Sequence, residues 1–175
     1  MSINTVPLKN NYNQLLGSSE VCPFTLLPGE KVRYNTQSGR QSLDIIDGEH
    51  RPLTNIPTIH ITARDGYLYL TTKRLIYITL SQGDVNTFTI DLSYADKLRL
   101  SHSLKSPWFG PNYWEFIFFS SESSSDGFPN NKYFKGQIKF SDGGLFNFVQ
   151  AFNIVLNDVI NNSHIDDELP GYSEV

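Results

Sequence analysis

The hydrophobic pattern of this chain changes its period once, close to Gly144, and this change limits the folds that the chain can adopt. Before Gly144, short runs of β-branched and aromatic residues alternate with turn-forming clusters, which is typical of strands in a compact antiparallel sheet. After it, apolar residues recur every three or four positions and form one helical face over about four turns. That face consists of Leu145, Phe148, Val149, Phe152, Val155, Leu156 and Val159. A single helix of this kind must bury its apolar face against the sheet or the open end of a barrel.

The predicted strands are short and are separated by turn sequences. Asp65-Gly66 is a tight-turn dipeptide between two of them, and polar residues dominate 37–57 and 120–131, where we predict long loops, the second one mobile. The strands are predicted at 31–34, 58–62, 67–71, 74–80, 86–91, 97–102, 113–119 and 133–140. Their order resembles the pleckstrin-homology (PH) superfold. We therefore expect an α+β, mainly β domain, a partly open antiparallel β-barrel of about seven strands capped by one C-terminal helix.

Charge and composition divide the chain into three parts. Residues 1–20 are polar and rich in Asn and Ser, so we predict a flexible N-terminal arm, followed by a folded domain over 21–160. Residues 161–175 contain four acidic residues and no Lys or Arg, which predicts an acidic, disordered tail. Because the whole chain has 14 basic and 18 acidic residues, residues 1–160 are formally neutral. A neutral body lacks the basic surplus of a general nucleic-acid binder, so we expect no direct nucleic-acid partner.

Cysteine content and the apolar runs bear on where the protein works. A single cysteine, Cys22, cannot form an internal disulfide, which fits a reducing compartment. The first ten residues lack the charged start and apolar core of a signal peptide. The longest apolar runs, such as 67–70 and 116–119, are too short to span a bilayer. We expect a cytoplasmic protein, with the nucleus and the membrane periphery as further locations.

Residues capable of catalysis or metal binding are scattered. The four histidines (His50, His60, His102 and His164) have no cysteine or acidic partner at metal-ligand spacing, and His60 falls on the polar face of a predicted strand. The chain contains no nucleophile-elbow, Walker or dinucleotide-binding motif. We therefore predict no metal, no cofactor and no enzymatic activity.

Three segments together resemble the GRAM branch of the PH superfamily. Residues 24–32 (Phe-Thr-Leu-Leu-Pro-Gly-Glu-Lys-Val) are similar to the first strand of GRAM domains. Residues 66–77 (Gly-Tyr-Leu-Tyr-Leu-Thr-Thr-Lys-Arg-Leu-Ile-Tyr) resemble the central GRAM hairpin. Residues 107–113 (Pro-Trp-Phe-Gly-Pro-Asn-Tyr), with the later Gly-Gly turn and helix, are similar to the WW-domain-binding protein 2 family. The resemblance extends over most of the chain, from 24 to 159.

Members of that family recruit WW domains through Pro-Pro-x-Tyr motifs beyond the GRAM domain. This chain has no such motif, but its tail contains Leu169-Pro170-Gly171-Tyr172, the Leu-Pro-x-Tyr variant. The proline pre-sets polyproline II geometry, so docking loses less entropy, and Tyr172 would fill the second pocket of the WW groove. The resemblance implies a non-catalytic adaptor in which Leu169, Pro170 and Tyr172 bind a WW-domain protein, with a HECT-type ubiquitin ligase as the first choice.

Two other functions remain open at this stage. One is a phosphoinositide- or membrane-binding module that uses basic side chains at the open end, the candidates being Lys73, Arg74, Lys97, Arg99 and Lys105. The other is a nuclear transcription coactivator that acts through WW-containing regulators. The sequence does not separate either from the adaptor.

Two sets of side chains have more than one interpretation. A structural role for Arg74, bonded to backbone or to a carboxylate, is favoured over contact with a ligand. The aromatic residues Trp108, Phe109, Tyr113 and Trp114 either close the mouth of the barrel, which is favoured, or form an exposed binding edge.

Overall fold

The computed structural model describes residues 1–48, 59–81, 83, 85–122 and 125–168. The strands within these residues are β1 (Ser2–Ile3), β2 (Val32–Asn35), β3 (Gln41–Asp47), β4 (His60–Ala63), β5 (Gly66–Thr71), β6 (Arg74–Thr79), β7 (Thr87–Asp91), β8 (Ser101–Lys105), β9 (Tyr113–Ser120) and β10 (Lys132–Phe140). The helices are α1 (Tyr12–Leu15), a 3₁₀ turn (Leu92–Tyr94) and α2 (Leu145–Glu168). None of the helices described combines the length and the hydropathy needed to cross a membrane.

The strands form two antiparallel five-stranded sheets. The first has the order β1-β7-β6-β5-β2, and the second has the order β4-β3-β10-β9-β8. An isolated bridge between Arg40 and Gly66 links the two, but the described strands do not close into a continuous barrel. The mainly β architecture with a C-terminal helix is confirmed, and the described residues contain ten strands where about seven were expected.

An aromatic core lies between the sheets and α2. The apolar face of α2 is buried as its spacing predicts, and the rings of Phe148 and Phe152 lie 5.1 and 4.8 Å from the ring of Trp114 on β9. Phe116 lies further along the same face of β9, directly opposite Gly136 of β10. A Cβ atom at Gly136 would overlap the Phe116 ring, so the absence of a side chain there is a packing requirement. The helix is thus held by large rings that exclude water from one end of the sheets.

Strand β3 corrects the predicted loop at 37–57. Seven of its residues pair with β10, and the strand also pairs with β4. Leu43 and Ile45 are buried in the core, whereas Asp44 and Ile46 point outward. The polar residues of this segment led to the prediction of a loop. Pairing on both sides supplies the backbone hydrogen bonds that stabilise it as a strand. The rest of the predicted loop, from 49 to 57, lies outside the described residues.

The N-terminal segment is packed rather than loose. Ser2 and Ile3 pair with Thr89 and Phe88 of β7, and Met1 and Val6 are buried. The prediction of a flexible arm over 1–20 is corrected accordingly, because this segment completes the edge of the first sheet.

Three further predictions about individual segments are corrected by the structure. The strand expected at 97–102 is found at Ser101–Lys105, because the chain turns before it and Arg99 adopts a positive φ of 48°. The predicted loop at 120–131 is anchored, since Phe128 is buried in the aromatic core. Helix α2 continues to Glu168 and therefore includes the first eight residues of the predicted tail.

Candidate functional site

Arg74, the first residue of β6, forms a two-point ion pair with Glu30. Its Nε donates to Glu30 Oε2 at 2.9 Å, and its Nη2 donates to Glu30 Oε1 at 3.0 Å. Nη2 also donates to the carbonyl of Thr25 at 3.0 Å, while the guanidinium lies 5.3 Å from the centre of the Phe24 ring. The side chain of Glu30 is fully buried. These contacts agree with the structural interpretation of Arg74 and join residues 24–30 to the β5–β6 hairpin.

The environment of Glu30 keeps its carboxylate charged. Burial alone raises the pKa of Glu30, but hydrogen bonds from Arg74, the Leu27 amide and the Thr71 hydroxyl outweigh it, so the pKa lies below its ordinary value. Lys73, next to Arg74, donates from Nζ to the carbonyl of Pro28 at 2.6 Å. Both basic residues of the hairpin therefore bind the protein itself.

The other candidate lipid-binding cations are spread along the β8 region. The Lys97 ammonium lies 5.3 Å from the centre of the Tyr94 ring. Arg99 lies 4.9 Å from the centre of the Phe119 ring and donates to the Tyr133 hydroxyl at 2.8 Å.

Lys105 lies at the opposite end of β8 from Arg99, with its Nζ 3.9 Å from Glu115 Oε1. Lys73 and Arg74 line an open groove together with Asp91 and Asp96. The structure thus keeps Lys73 and Arg74 adjacent but does not bring Arg99 and Lys105 together.

The predicted WW-binding residues Leu169, Pro170 and Tyr172 lie outside the described residues. Helix α2 ends at Glu168, immediately before Leu169.

Four aromatic residues were predicted to close the mouth of the barrel, an arrangement called here the plug interpretation. In the structure they separate into two groups. Trp114 is completely buried against α2, as the plug interpretation predicts, and Tyr113 is half-buried. Trp108 and Phe109 are 98% and 91% exposed, so the plug interpretation is wrong for both. They lie in the loop between β8 and β9, where all residues from 105 to 111 are exposed. These two residues form an exposed edge, as the less favoured alternative expected, and their binding role stays a prediction.

The histidines serve packing or surface roles in the part of the chain described. The His102 ring packs edge-on against Phe152 at 4.7 Å and accepts a hydrogen bond from Trp114 Nε1 at 3.4 Å. Burial lowers the pKa of His102. On the outer face of the second sheet, His60 Nε2 lies 2.6 Å from Asp44 Oδ1. Among the described residues, no group of three or more His, Cys, Asp or Glu side chains is placed to hold a metal ion.

Comparison with known proteins identifies a similar fold. Neither a protein-family model nor a curated protein sequence matches the chain. Among solved structures, the Vps36 N-terminal PH domain is similar, with a TM-score of 0.51 and 18% sequence identity over 83% of this chain and 93% of that domain. The chain has a PH-like fold.

Proposed function

We propose that this chain is a non-catalytic adaptor: a GRAM-type PH-like domain whose Leu169-Pro170-Gly171-Tyr172 segment recruits a WW-domain protein, with a HECT-type ubiquitin ligase as the first candidate. The observation that carries the proposal is the motif itself, which begins directly after the last residue of α2. A motif at that position is attached to the folded domain by the helix and can be presented to a partner.

The GRAM assignment within this proposal rests on where the three resembling segments lie. Residues 66–77 span the β5–β6 hairpin, and 24–32 form the stretch that Glu30 and Arg74 attach to it. Residues 107–113 form the exposed loop and the start of β9. The GRAM-like residues thus occur at connected positions of one PH-like domain, which supports a shared architecture.

Two titratable side chains, Glu30 and His102, support the non-catalytic part of the proposal. Glu30, with its lowered pKa, is saturated by hydrogen bonds from its own domain, and His102 is packed between aromatic rings. A catalytic acid or base needs to reach a substrate, and neither of these groups is placed to do so.

The test measures binding of the full chain to isolated WW domains by titration calorimetry. Tyr172→Ala should weaken binding at least about tenfold, because an empty tyrosine pocket loses a buried aromatic contact. Ser173→Ala, a neighbouring change outside the motif, should leave the affinity unchanged. Phosphorylation of Tyr172 should abolish binding, since the pocket cannot accommodate the added charge. Equal affinity of the wild type and Tyr172→Ala would reject the proposal.

Phosphoinositide binding is a second candidate, because PH-like domains commonly bind phosphoinositides or proteins. Arg74 is committed to Glu30, so Lys97 and Lys105, both exposed, are the better headgroup contacts among the proposed residues. Flotation with phosphoinositide-containing vesicles tests this function, and loss of binding in Lys97→Gln with Lys105→Gln is the expected result. The coactivator alternative differs from the adaptor in partner and compartment, and it shares the Tyr172 test.

A further inference from the structure

Two large apolar side chains are exposed to solvent in the loop that connects β8 and β9. Trp108 and Phe109 are adjacent and almost completely exposed, whereas Trp114, five residues after Phe109, is fully buried. The hydrophobic effect opposes leaving rings of this size in water, and adjacent exposed apolar residues mark surfaces that bind something. The core thus buries the nearby ring of Trp114, whereas the loop keeps Trp108 and Phe109 outside it.

The backbone of this loop is restrained on both sides of Trp108 and Phe109. It follows Lys105, which pairs with Tyr113 at the end of a hairpin in which five residues of β8 are paired with β9. Pro107 and Pro111 restrict the backbone on either side of the aromatic pair, and Gly110 provides the positive φ of 99° that turns the chain back. Because the loop is restrained before it meets a partner, binding loses less conformational entropy.

The shape of this surface favours a membrane over a protein. Every residue from 105 to 111 is exposed, so the aromatic pair lies on a loop that no other described part of the chain covers. A stable protein interface needs about 800 Å² of complementary surface on each partner. A bilayer interface needs no matching pocket, and tryptophan is enriched there because its ring is amphipathic.

The charge at the base of the loop fits an anionic bilayer. Lys105, Tyr113 and Lys139 are lateral neighbours across β8, β9 and β10, and they share the outer face of the second sheet. Arg64 lines the same shallow groove on this face as Lys139. The row next to the loop thus carries Lys105 and Lys139, and Arg64 lies further across the same face. Anionic lipids attract such basic residues when they lie near the membrane surface.

The acids nearest to this edge are compensated or lie further from the loop. Asp142 pairs with Arg40 at 3.0 Å. Glu115 is one row behind Lys105, and its carboxylate lies 3.9 Å from the Lys105 ammonium. Asp44 occupies the same second row, where it pairs with His60. Lys105 and Lys139 therefore lie in the row next to the loop, whereas Glu115 and Asp44 lie one row further away.

We propose that residues 106–112 form a membrane-docking loop. Trp108 and Phe109 enter the headgroup–acyl boundary of an anionic bilayer, while Lys105, Lys139 and Arg64 face the lipid phosphates. This contact is independent of the WW-binding segment and requires no phosphoinositide headgroup pocket. It would hold a partner recruited by the tail at the membrane surface, where the two attachments together increase residence time.

Intrinsic fluorescence tests the insertion directly, because the chain has only two tryptophans, Trp108 and Trp114. Trp114 is already buried, so a blue shift on adding phosphatidylcholine–phosphatidylserine vesicles would come from Trp108. Vesicles with brominated acyl chains should quench that emission, and Trp108→Phe should remove the shift while retaining most of the binding. Binding without quenching by brominated lipid would place the lipid contact elsewhere and overturn the proposal.

Matched variants test the energetic role of the loop in vesicle sedimentation. Trp108→Ser with Phe109→Ser should lower the partition coefficient at least about a hundredfold, because two large apolar side chains no longer enter the lipid. Phe146→Ser removes a 64% exposed aromatic side chain from α2 and should bind as the wild type does. Equal binding of the double variant overturns the proposal, as does an emission shift that depends on protein concentration without lipid, which would indicate pairing of two copies.

Lipid composition separates the charge contribution from the insertion. Lys105→Gln with Lys139→Gln should reduce binding to phosphatidylserine-containing vesicles roughly tenfold or more and leave the weaker binding to pure phosphatidylcholine unchanged. Binding that appears only when a phosphoinositide is added would contradict the proposal and favour a headgroup pocket. All of these measurements leave Tyr172 intact, so their failure would be distinct from failure of the WW-domain proposal.

Discussion

Replacing Arg74 by methionine should destabilise the domain severely, because it leaves a buried carboxylate without its cationic partner. The Glu30 side chain is fully buried, and Arg74 supplies two of its hydrogen bonds. The Leu27 amide and the Thr71 hydroxyl remain, but they carry no charge. Removing one partner of a buried ion pair costs about 3–5 kcal/mol. Since domains of this kind have a free energy of unfolding of roughly 5–15 kcal/mol, the variant would lose a large part of its stability.

The pH dependence of this loss follows from the pKa of Glu30. In the wild type that pKa is lowered, so the stabilisation is present above the ordinary value of 4.5 and is lost as the pH falls through the folded-state pKa. Without Arg74, burial becomes the dominant influence and raises the pKa of Glu30. The variant then takes up a proton on Glu30 as the solution is acidified. The difference in stability between the two proteins should narrow from pH 7 towards pH 5.

Urea unfolding followed by far-ultraviolet circular dichroism at both pH values measures this difference. Arg40→Met is the matched control, because its ion pair with Asp142 is largely exposed and should contribute no more than about 1 kcal/mol. A double-mutant cycle with Glu30→Gln should show that Arg74→Met costs much less when residue 30 is neutral. A loss below about 1 kcal/mol at pH 7, or a difference that does not change with pH, would refute this reasoning.

Two further predictions concern the core. Gly136→Ala should destabilise the domain by about 1–3 kcal/mol or more, because its methyl group overlaps the Phe116 ring, whereas Gly83→Ala meets nothing within 4 Å and should be close to neutral in the same urea assay. Equal midpoints for the two variants would contradict the packing argument. His102 should titrate below 6.5 in an NMR experiment, since burial lowers its pKa, and stability should fall as the pH drops through the unfolded value of 6.5. A titration midpoint at or above 6.5 would contradict the burial of a neutral ring.

The elements that could be predicted from sequence are those whose pattern is local. Helix α2 begins at Leu145, where the apolar period changes, and β5 and β6 lie within one residue of the strands predicted at 67–71 and 74–80. The helical pattern reports the difference between a buried and an exposed face, whereas both strands of the hairpin are buried on their two faces. The structural role of Arg74 was also predictable, because its guanidinium can satisfy a carboxylate at two points.

The strands and contacts that were missed depend on distant partners. The sequence of β3 taken alone predicts a polar loop. The segment forms a strand because it pairs with β10 on one side and with β4 on the other. Ser2 and Ile3 form an edge strand because β7 offers free backbone groups at that position. Neither partner can be inferred from the residues of the segment alone, since pairing is decided by the tertiary arrangement of the sheet.

The sequence by itself determined that this chain is a mainly β domain closed by one amphipathic helix, and it contains the Leu-Pro-Gly-Tyr segment on which the adaptor proposal rests. The tertiary structure alone decided which aromatic residues meet water. Trp108 and Trp114 lie six positions apart and have the same side chain, yet one is exposed at a loop tip and the other is enclosed by α2. The physical reason is that burial depends on what packs against a side chain, and here the helix that covers Trp114 comes from a distant part of the chain.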